Sequence, residues 1–489
     1  MLRVTSMNTP RDRVRRNLTQ TVIGRPLIDK IEASLNPDAL YDVIIDPNLD
    51  FSGGRDRARD RIRALIGSPA MRVDSAHPYI FATLTGRAIR EIIADDSTHS
   101  DGHDAAPDAP PGKQRLTSGA RAIYRIWEDT EVEALLTNSI ATVKADAAQA
   151  AFSADGKDIV WAVIDSGIDR RHQHFTQYCN LTLPLPLEHQ DFTPGASSPL
   201  TDEFGHGTHV AGIIAGRMDE SKGPQAVLKV GDDEECATVT QPLGRAIRGV
   251  APQCRLLSLK VLNADGKGKT SAVIEAIAAV QKLNDFGRRI VVHGVNLSLG
   301  YPFMPEWFAC GQSPLCAEVN RLVKSGVVVV AAAGNSGYGS IDATSGSVTA
   351  AGLPLTINDP GNAENAITVG STHRDMPHTY GVSYFSSKGP TGDGRLKPDL
   401  VAPGERILSC AAGKTQPDAT FHYVEDSGTS MAAPHVSGAI AAFLSIRREY
   451  IGQPEEVKKI FMENATDLKR DRTFQGSGLL DLMRAIQSI

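Results

Sequence analysis

Apolar residues in the larger, C-terminal part of the chain form short continuous runs that alternate with longer amphipathic stretches. Four runs predict buried strands, at residues 159–165, 255–262, 289–300 and 326–335. The stretches around them have helical spacing, notably at 206–216, 270–286 and 316–325. Strands that are apolar on both faces and alternate with helices are typical of a parallel sheet covered on both sides. We therefore predict an α/β domain over residues 137–489.

The preceding part of the chain has a different pattern. Strands are predicted at 41–46, 79–84 and 122–127, and helices at 56–66 and 86–96. This order, with room for one more short strand, predicts a small α+β domain over residues 38–136. Residues 97–114 are polar and rich in Pro, Asp and Ala, which indicates a flexible insertion. Residues 1–37 carry no firm pattern and are described as an N-terminal extension.

Composition narrows the class of protein. The 489 residues are 41% hydrophobic and 22% charged, as in soluble globular proteins, and the net charge of −6 does not favour a nucleic-acid partner. A basic run at 55–63 alternates with acids and is typical of a solvated helix face. There is no apolar run long enough to cross a membrane and no apolar core of a signal peptide near residue 1, so we expect a cytoplasmic protein without a membrane partner.

Cysteine usage adds little to this picture. The six cysteines have neither C-x-x-C nor zinc-type spacing. Free thiols are expected, although Cys310 and Cys316 could close a small loop.

Four polar residues lie where predicted strands end or predicted helices begin. Asp165 and Asn335 follow strands, whereas His206 and Ser430 open helices. Each alone has an ordinary structural interpretation: a turn for the first two, and an N-cap for Ser430 in "DSGTSMAAPHVSG". A metal site on His206 and His209 is disfavoured, because their spacing is i, i+3 and no third ligand is apparent.

Taken together, the four residues also suit acyl-transfer chemistry. A serine hydroxyl needs an adjacent base, which a histidine held by a carboxylate supplies, and an amide can stabilise an oxyanion. The chain order Asp–His–Ser is the one found in subtilisin. A competing phosphate-loop interpretation of "GKGKTS" fails, because Asn263 occupies the position of the required first glycine.

The segments around these residues resemble a known family. "VIDSGID", "GHGTHVAG" and "GTSMAAPHVSG" resemble the active-site signatures of subtilisin-like serine proteases, and "AAAGNSG" is similar to their oxyanion segment. The resemblance covers about residues 140–489 and implies a three-layer α/β fold with a mainly parallel sheet. It also implies an Asp165–His206–Ser430 triad with Asn335 as oxyanion donor, acting on polypeptides.

The resemblance further assigns substrate contacts, to Gly266, Lys267, Gly268, Ser298, Leu299, Gly300, Ala333 and Gly334. An extended peptide substrate would add as a β-strand between residues 266–268 and residues 298–300. Ser336 follows the oxyanion asparagine, at a position where relatives often have an acidic residue. A preference of the enzyme for a basic substrate residue before the scissile bond is therefore less expected. No cofactor is required by this chemistry. The calcium loop that is usual in the family is replaced here by an insertion at 217–248. The acidic run at 232–235 in this insertion is more typical of a solvated loop than of a cation site. Whether the protein binds a metal ion therefore stays open.

Residues 38–136 resemble, less specifically, the ferredoxin-like inhibitory prosegment of the same family. The resemblance implies that this segment inhibits its own protease until autocleavage within 133–138, where Leu135 and Leu136 suit the pocket before the cut. The alternative is a permanent domain with a regulatory or binding role. For the whole protein, two alternatives to a peptidase are a catalytically silent peptide-binding pseudoprotease and an esterase or acyl hydrolase on the same triad.

Overall fold

The computed structural model describes most of the chain, in two compact units, Met1–Ala134 and Leu135–Ile489. The described residues are 22–23, 25–34, 36, 38–67, 71–73, 79–98, 121–128, 138–195, 198–230, 237–302, 310–342, 348–416 and 422–489. Four predicted features lie wholly or largely outside them: most of the N-terminal extension, residues 99–114 of the predicted insertion, residues 133–137 of the predicted cleavage segment and the acidic run at 232–235.

The N-terminal unit is a four-stranded antiparallel sheet with helices. Its elements are α1 (Arg25–Ala33), β1 (Leu40–Pro47), α2 (Gly54–Ile66), β2 (Met71–Val73), β3 (Ile80–Thr85), α3 (Gly86–Thr98) and β4 (Ile123–Glu128). The strand order β2-β3-β1-β4 is the split βαβ arrangement of ferredoxin-like folds. Side chains alternate along β1, so Val43 and Ile45 enter the core while Ile44 lies on the opposite face.

Two expectations for this unit need correction. The extension predicted to carry no pattern contains α1, which buries Leu27 and Ile28 against the same core. Helix α3 continues to Thr98, two residues into the predicted insertion. Helix α1 has only nine residues, too few turns for its apolar spacing to stand out in the sequence.

The C-terminal unit is built on a seven-stranded sheet in which every pairing is parallel. Its order is β17-β16-β13-β12-β5-β11-β6, and the strands are β5 (Val160–Asp165), β6 (Gln190–Asp191), β11 (Arg255–Lys260), β12 (Gly294–Leu297), β13 (Val328–Ala332), β16 (Ile367–Thr372) and β17 (Leu400–Pro403). This confirms the predicted parallel sheet. The strands are shorter than the apolar runs, because residues after β12 and β13 leave the sheet for the cleft described below.

Helices cover both faces of this sheet, which gives three layers. They are α4 (Asn138–Thr142), α5 (Ala145–Phe152), α6 (His206–Ile214), α7 (Thr270–Leu283), α8 (Pro314–Lys324), α9 (Pro377–Tyr380), α10 (Thr429–Ile446), α11 (Pro454–Glu463), α12 (Arg472–Gln475) and α13 (Leu482–Gln487). Trp161 and Val163 of β5 pack in the core with α6 and α10, whereas Ala162 and Ile164 pack in the core with α7 and α8. Among the described helices, α10 alone is long and apolar enough to cross a membrane, but 83% of it is buried, as in a core helix.

The predicted insertion at 217–248 forms strands as well as loops. They are β7 (Arg217–Met218), β8 (Gln225–Val230), β9 (Ala237–Pro242) and β10 (Ile247–Arg248). The β8–β9 hairpin extends a sheet with β18 (Ile407–Cys410) and β19 (Tyr423–Asp426), in the order β18-β19-β8-β9. Another hairpin pairs β14 (Tyr338–Asp342) with β15 (Val348–Gly352). Short 3₁₀ turns lie at Gln173–Phe175, Glu220–Lys222, Asp285–Gly287, Gly413–Thr415 and Arg448–Tyr450.

Among the described residues, Cys179, Cys254, Cys316 and Cys410 are free thiols. The predicted free thiols are therefore confirmed for these four, and a Cys310–Cys316 bond is not formed.

Candidate active site

A histidine and a carboxylate meet where β5 ends and α6 begins. Asp165 is the last residue of β5 and His206 the first of α6. His206 Nδ1 lies 2.8 Å from Asp165 Oδ1. Because an ionised carboxylate only accepts hydrogen bonds, Nδ1 carries the proton and Nε2 is left to accept one.

Charges around the ring control its protonation. Burial disfavours the charged imidazolium, but the Asp165 carboxylate outweighs this effect and, with smaller contributions from Asp426 and Asp202, raises the pKa of His206 to about 9. Asp165 is only 1% exposed, and its Oδ1 also accepts from the Ser166 N–H. The ring is therefore oriented and electrostatically supported by a buried negative charge.

The start of α6 is fixed by a second carboxylate, which the sequence analysis missed. Asp202 accepts hydrogen bonds from the N–H of Gly205, the hydroxyl of Ser166, and both the N–H and the hydroxyl of Thr208. Gly205 has a φ of 97°, and a Cβ there would lie 2.2 Å from the Ala412 carbonyl oxygen. The only sequence signal for Asp202 is its place four residues before the histidine, where a helix N-terminus needs acceptors.

Ser430 is at the second position of α10, and the N-cap is Gly428, which makes no side-chain cap bond. Capping is therefore not the role of this hydroxyl, which donates to the Ser298 carbonyl oxygen at 3.0 Å. The Ser298 hydroxyl in turn donates to the Ser430 carbonyl at 2.8 Å. Within the described residues Ser430 Oγ has no hydrogen bond to His206, although both side chains line one cleft.

Asn335 is held by the residue before the serine. Its Oδ1 accepts from the N–H and the hydroxyl of Thr429, at 2.9 and 3.0 Å. The Thr429 hydroxyl also accepts from the Gly334 N–H at 3.1 Å. With Oδ1 engaged, the amide is oriented so that Nδ2 is the end available as a donor, and the described residues give Nδ2 no hydrogen-bond acceptor.

These side chains line a cleft of about 710 Å³. Of the predicted substrate-binding residues, those in its lining are Gly266, Lys267, Gly268, Ser298, Leu299, Gly300 and Gly334. Ala333 does not line it: its N–H donates to Val369 and its carbonyl accepts from Asn358, whereas Ala332 reaches the cleft. The lining residues that the sequence analysis did not single out include Phe204, Tyr301, Leu315 and Asn358.

One contact explains a lining glycine. Gly334 has a φ of 108°, and a Cβ on it would lie 2.7 Å from Asn358 Cγ. A side chain at this position would therefore collide with Asn358 inside the cleft.

The described residues contain no group of three or more His, Cys, Asp or Glu side chains that could hold a metal ion. His209, considered above as a ligand, contacts the Val424 carbonyl through Nε2 at 3.1 Å.

The chain is similar to known proteins over most of its length. The sequence model of the subtilase family matches residues 156–479. Serine protease AprX of Bacillus subtilis is 28% identical over 390 residues, which cover 77% of each chain. Subtilisin E of the same species is 31% identical over 333 residues, 68% of this chain and 66% of the relative. Pyrolysin of Pyrococcus furiosus is 32% identical over 329 residues, 58% of this chain and 21% of the relative.

Proposed function

Since the chain belongs to the subtilase family and is a subtilisin-like serine protease, we propose that Asp165, His206 and Ser430 are its catalytic triad and Asn335 its oxyanion donor. The observation that carries the proposal is the 2.8 Å bond between His206 and a buried Asp165, in the same cleft as Ser430 and Asn335.

In the proposed reaction the Ser430 hydroxyl leaves the Ser298 carbonyl and gives its proton to His206 Nε2 as Oγ attacks the substrate carbonyl carbon. The negative charge that develops on the substrate oxygen is stabilised by Asn335 Nδ2 and by the N–H of Ser430, to which the described residues offer no acceptor. His206 then protonates the leaving amine, and water repeats the sequence on the acyl-enzyme. No cofactor takes part in these steps.

The charges of the cleft favour a class of substrate. Apart from His206, the charged lining residues in the described part of the chain are Lys267 and Lys269, both exposed, and none of the described lining residues is a carboxylate. An extended polypeptide lying along residues 266–268 would pass these ammonium groups. We therefore propose polypeptide substrates in which acidic residues are favoured over basic ones near the cut.

We also propose that the N-terminal unit is an inhibitory prosegment and that the protein is made as a zymogen. Supporting features are its ferredoxin-like sheet, whose face opposite the helices presents the half-buried Ile44, and its covalent attachment ahead of the protease. Attachment gives a high effective concentration, so even a modest intrinsic affinity would block the substrate.

The decisive experiment compares wild type with Ser430→Ala and with Ser445→Ala, a control at the far end of the same helix. We expect Ser430→Ala to abolish peptide hydrolysis and labelling by a fluorophosphonate probe, because removing the nucleophile of subtilisin costs about 10⁶ in kcat. Ser445→Ala should retain both. Hydrolysis of esters but not peptides by wild type would favour the acyl hydrolase, and neither activity, with peptide binding intact, would favour the pseudoprotease.

A further inference from the structure

A buried lysine lies behind the loop that carries the oxyanion asparagine. Lys388 is 5% exposed, and its ammonium group donates to the carbonyls of Gly337, at 2.7 Å, and Tyr384, at 3.2 Å. It also lies 5.0 Å from the centre of the Phe474 ring. No carboxylate among the described residues is within salt-bridge distance of this ammonium group.

Burying an ammonium group without a carboxylate partner costs free energy of folding. Carbonyl dipoles and an aromatic face replace only part of the lost hydration, and burial lowers the pKa of Lys388. Other buried lysines in this chain do have carboxylate partners: Lys397 pairs with Asp399, and Lys260 with Glu203. A buried ammonium without such a partner is therefore a poor means of stabilising the fold, and another role has to explain it.

One of the two carbonyls that the Lys388 ammonium group holds, that of Gly337, belongs to the loop of residues 334–337. The segment Phe385–Lys388 holds this loop through four hydrogen bonds, namely Ser387 N–H to Gly334 O, Ser336 N–H to Ser387 Oγ, Gly337 N–H to Phe385 O, and Lys388 Nζ to Gly337 O. The last of these is the only one that comes from a charged group. Thr429 holds the other side of the loop through Gly334 and Asn335.

We propose that Lys388 is a positioning residue for catalysis: its ammonium group fixes the Gly337 carbonyl and thereby holds Asn335 where the oxyanion forms. The inference rests on the proposed role of Asn335. Lys388 does not line the cleft, so its loss should alter the transition state without altering substrate binding.

The test is a double-mutant cycle of Lys388→Met and Asn335→Leu, with kcat and KM measured per active site titrated by the fluorophosphonate. Met has nearly the volume of Lys but donates no hydrogen bond. We expect Lys388→Met alone to lower kcat roughly 10- to 100-fold with KM within about threefold, since a displacement of about 1 Å in a site can cost about 10²-fold. In the Asn335→Leu background the same change should lower kcat by less than about threefold.

Lys458→Met is the control, because Lys458 also donates to two carbonyl oxygens, those of Glu364 and Ala366, but away from the cleft; unlike Lys388, it also pairs with a carboxylate, Asp399. It should leave kcat unchanged even if it lowers the melting temperature. If Lys388→Met does not fold, Lys388→Gln, which keeps a donor for Gly337, replaces it, with a smaller expected loss of kcat and the same non-additivity.

The outcomes separate this inference from the proposed function. Three results would overturn the role of Lys388. The first is an equal decrease of kcat on Lys388→Met in the wild-type and Asn335→Leu backgrounds, the second is a change in KM alone, and the third is an unchanged kcat in folded Lys388→Met protein. An Asn335→Leu enzyme with wild-type kcat would instead overturn the proposed oxyanion donor.

Discussion

At the scale of single residues, each proposed catalytic side chain is held by a neighbour that performs no chemistry. Asp202 fixes the turn from which His206 projects, and Thr429 orients the amide of Asn335. The Ser298 carbonyl accepts the hydroxyl of Ser430 in the resting protein. These neighbours give hydrogen-bond partners to polar groups of the site before substrate arrives.

Replacing Asn335 by Leu should lower kcat by about 10²–10³ and leave KM nearly unchanged, as for the oxyanion-hole asparagine of subtilisin. The amide would stabilise charge that exists only in the transition state, so substrate binding does not depend on it. Steady-state kinetics on a peptide substrate checks this. A change confined to KM would instead place Asn335 among the residues that bind substrate.

The pH dependence of activity should reflect the Asp165–His206 pair. Only neutral His206 accepts the proton of Ser430, and its pKa is raised towards 9, so kcat/KM should rise with pH through a midpoint above 6.5. Titrating the ring by NMR in the Ser430→Ala protein measures this pKa directly. Asp165→Asn, which removes the charge, should lower the pKa, and an unchanged value would show that Asp165 does not control it.

The same shift links protonation to folding. Because the pKa is higher in the folded than in the unfolded state, proton binding to His206 stabilises the fold fully below about pH 6.5, and this stabilisation is lost as pH rises towards 9. The unfolding midpoint of the Ser430→Ala protein should therefore fall as pH rises across this range. The fall should be less steep when Asp165→Asn is added.

At the scale of elements, the site exists because strand ends and helix starts converge. Strand β5 ends at Asp165, β12 ends just before Ser298 and β13 ends two residues before Gly334, all at the carboxyl edge of one parallel sheet. Helices α6 and α10 begin with His206 and with the Thr429–Ser430 pair. This is the location at which open α/β sheets generally bind ligands.

The segment before α7 supplies the lysines of the cleft. The double substitution Lys267→Glu and Lys269→Glu should therefore reverse the proposed preference for acidic substrates. Exposed charge pairs contribute about 0.2–1 kcal/mol each, so the ratio of kcat/KM for acidic over basic peptides should change up to about fivefold per lysine. Lys282→Glu, an exposed change at the other end of α7, is the control. The change in the ratio of kcat/KM should be smaller at high salt, because salt screens exposed charges. A ratio that is the same in the variant and in wild type would show that these charges do not determine specificity.

At the scale of the whole molecule, the chain is two units, each with its own core. The N-terminal core centres on residues such as Val43 and Ile89, and the protease has a separate core on each face of its sheet. Two compact units with a linking segment allow one to be cut from the other without destroying either fold.

We expect autocleavage within 133–138 in wild type and an uncut chain in the Ser430→Ala protein. The released N-terminal unit, added back to active enzyme, should inhibit peptide hydrolysis. Mass spectrometry and N-terminal sequencing of active material locate the cut. An active enzyme that retains its N-terminal unit intact would support the permanent-domain alternative.

The sequence by itself determined the parallel α/β sheet, the α+β unit and the candidates Asp165, His206, Asn335 and Ser430. It could do so because apolar periodicity and motif chemistry are local properties. The ends of β12 and β13, helix α1 and the β8–β9 hairpin could not be read from the sequence, because they depend on which neighbours each segment meets.

Only the tertiary structure decided which groups hold the site. Lys388 lies far from Asn335 in sequence, and nothing in its local pattern links the two. Asp202 lies near His206 in sequence, but its bond with Ser166 joins separate segments. Ser430 belongs to a residue type that commonly caps helices, yet here Gly428 takes that position. Ala333 lies next to two lining residues, yet its backbone is engaged by Val369 and Asn358. In each case the role follows from hydrogen bonds between distant segments, which exist only after the chain has folded.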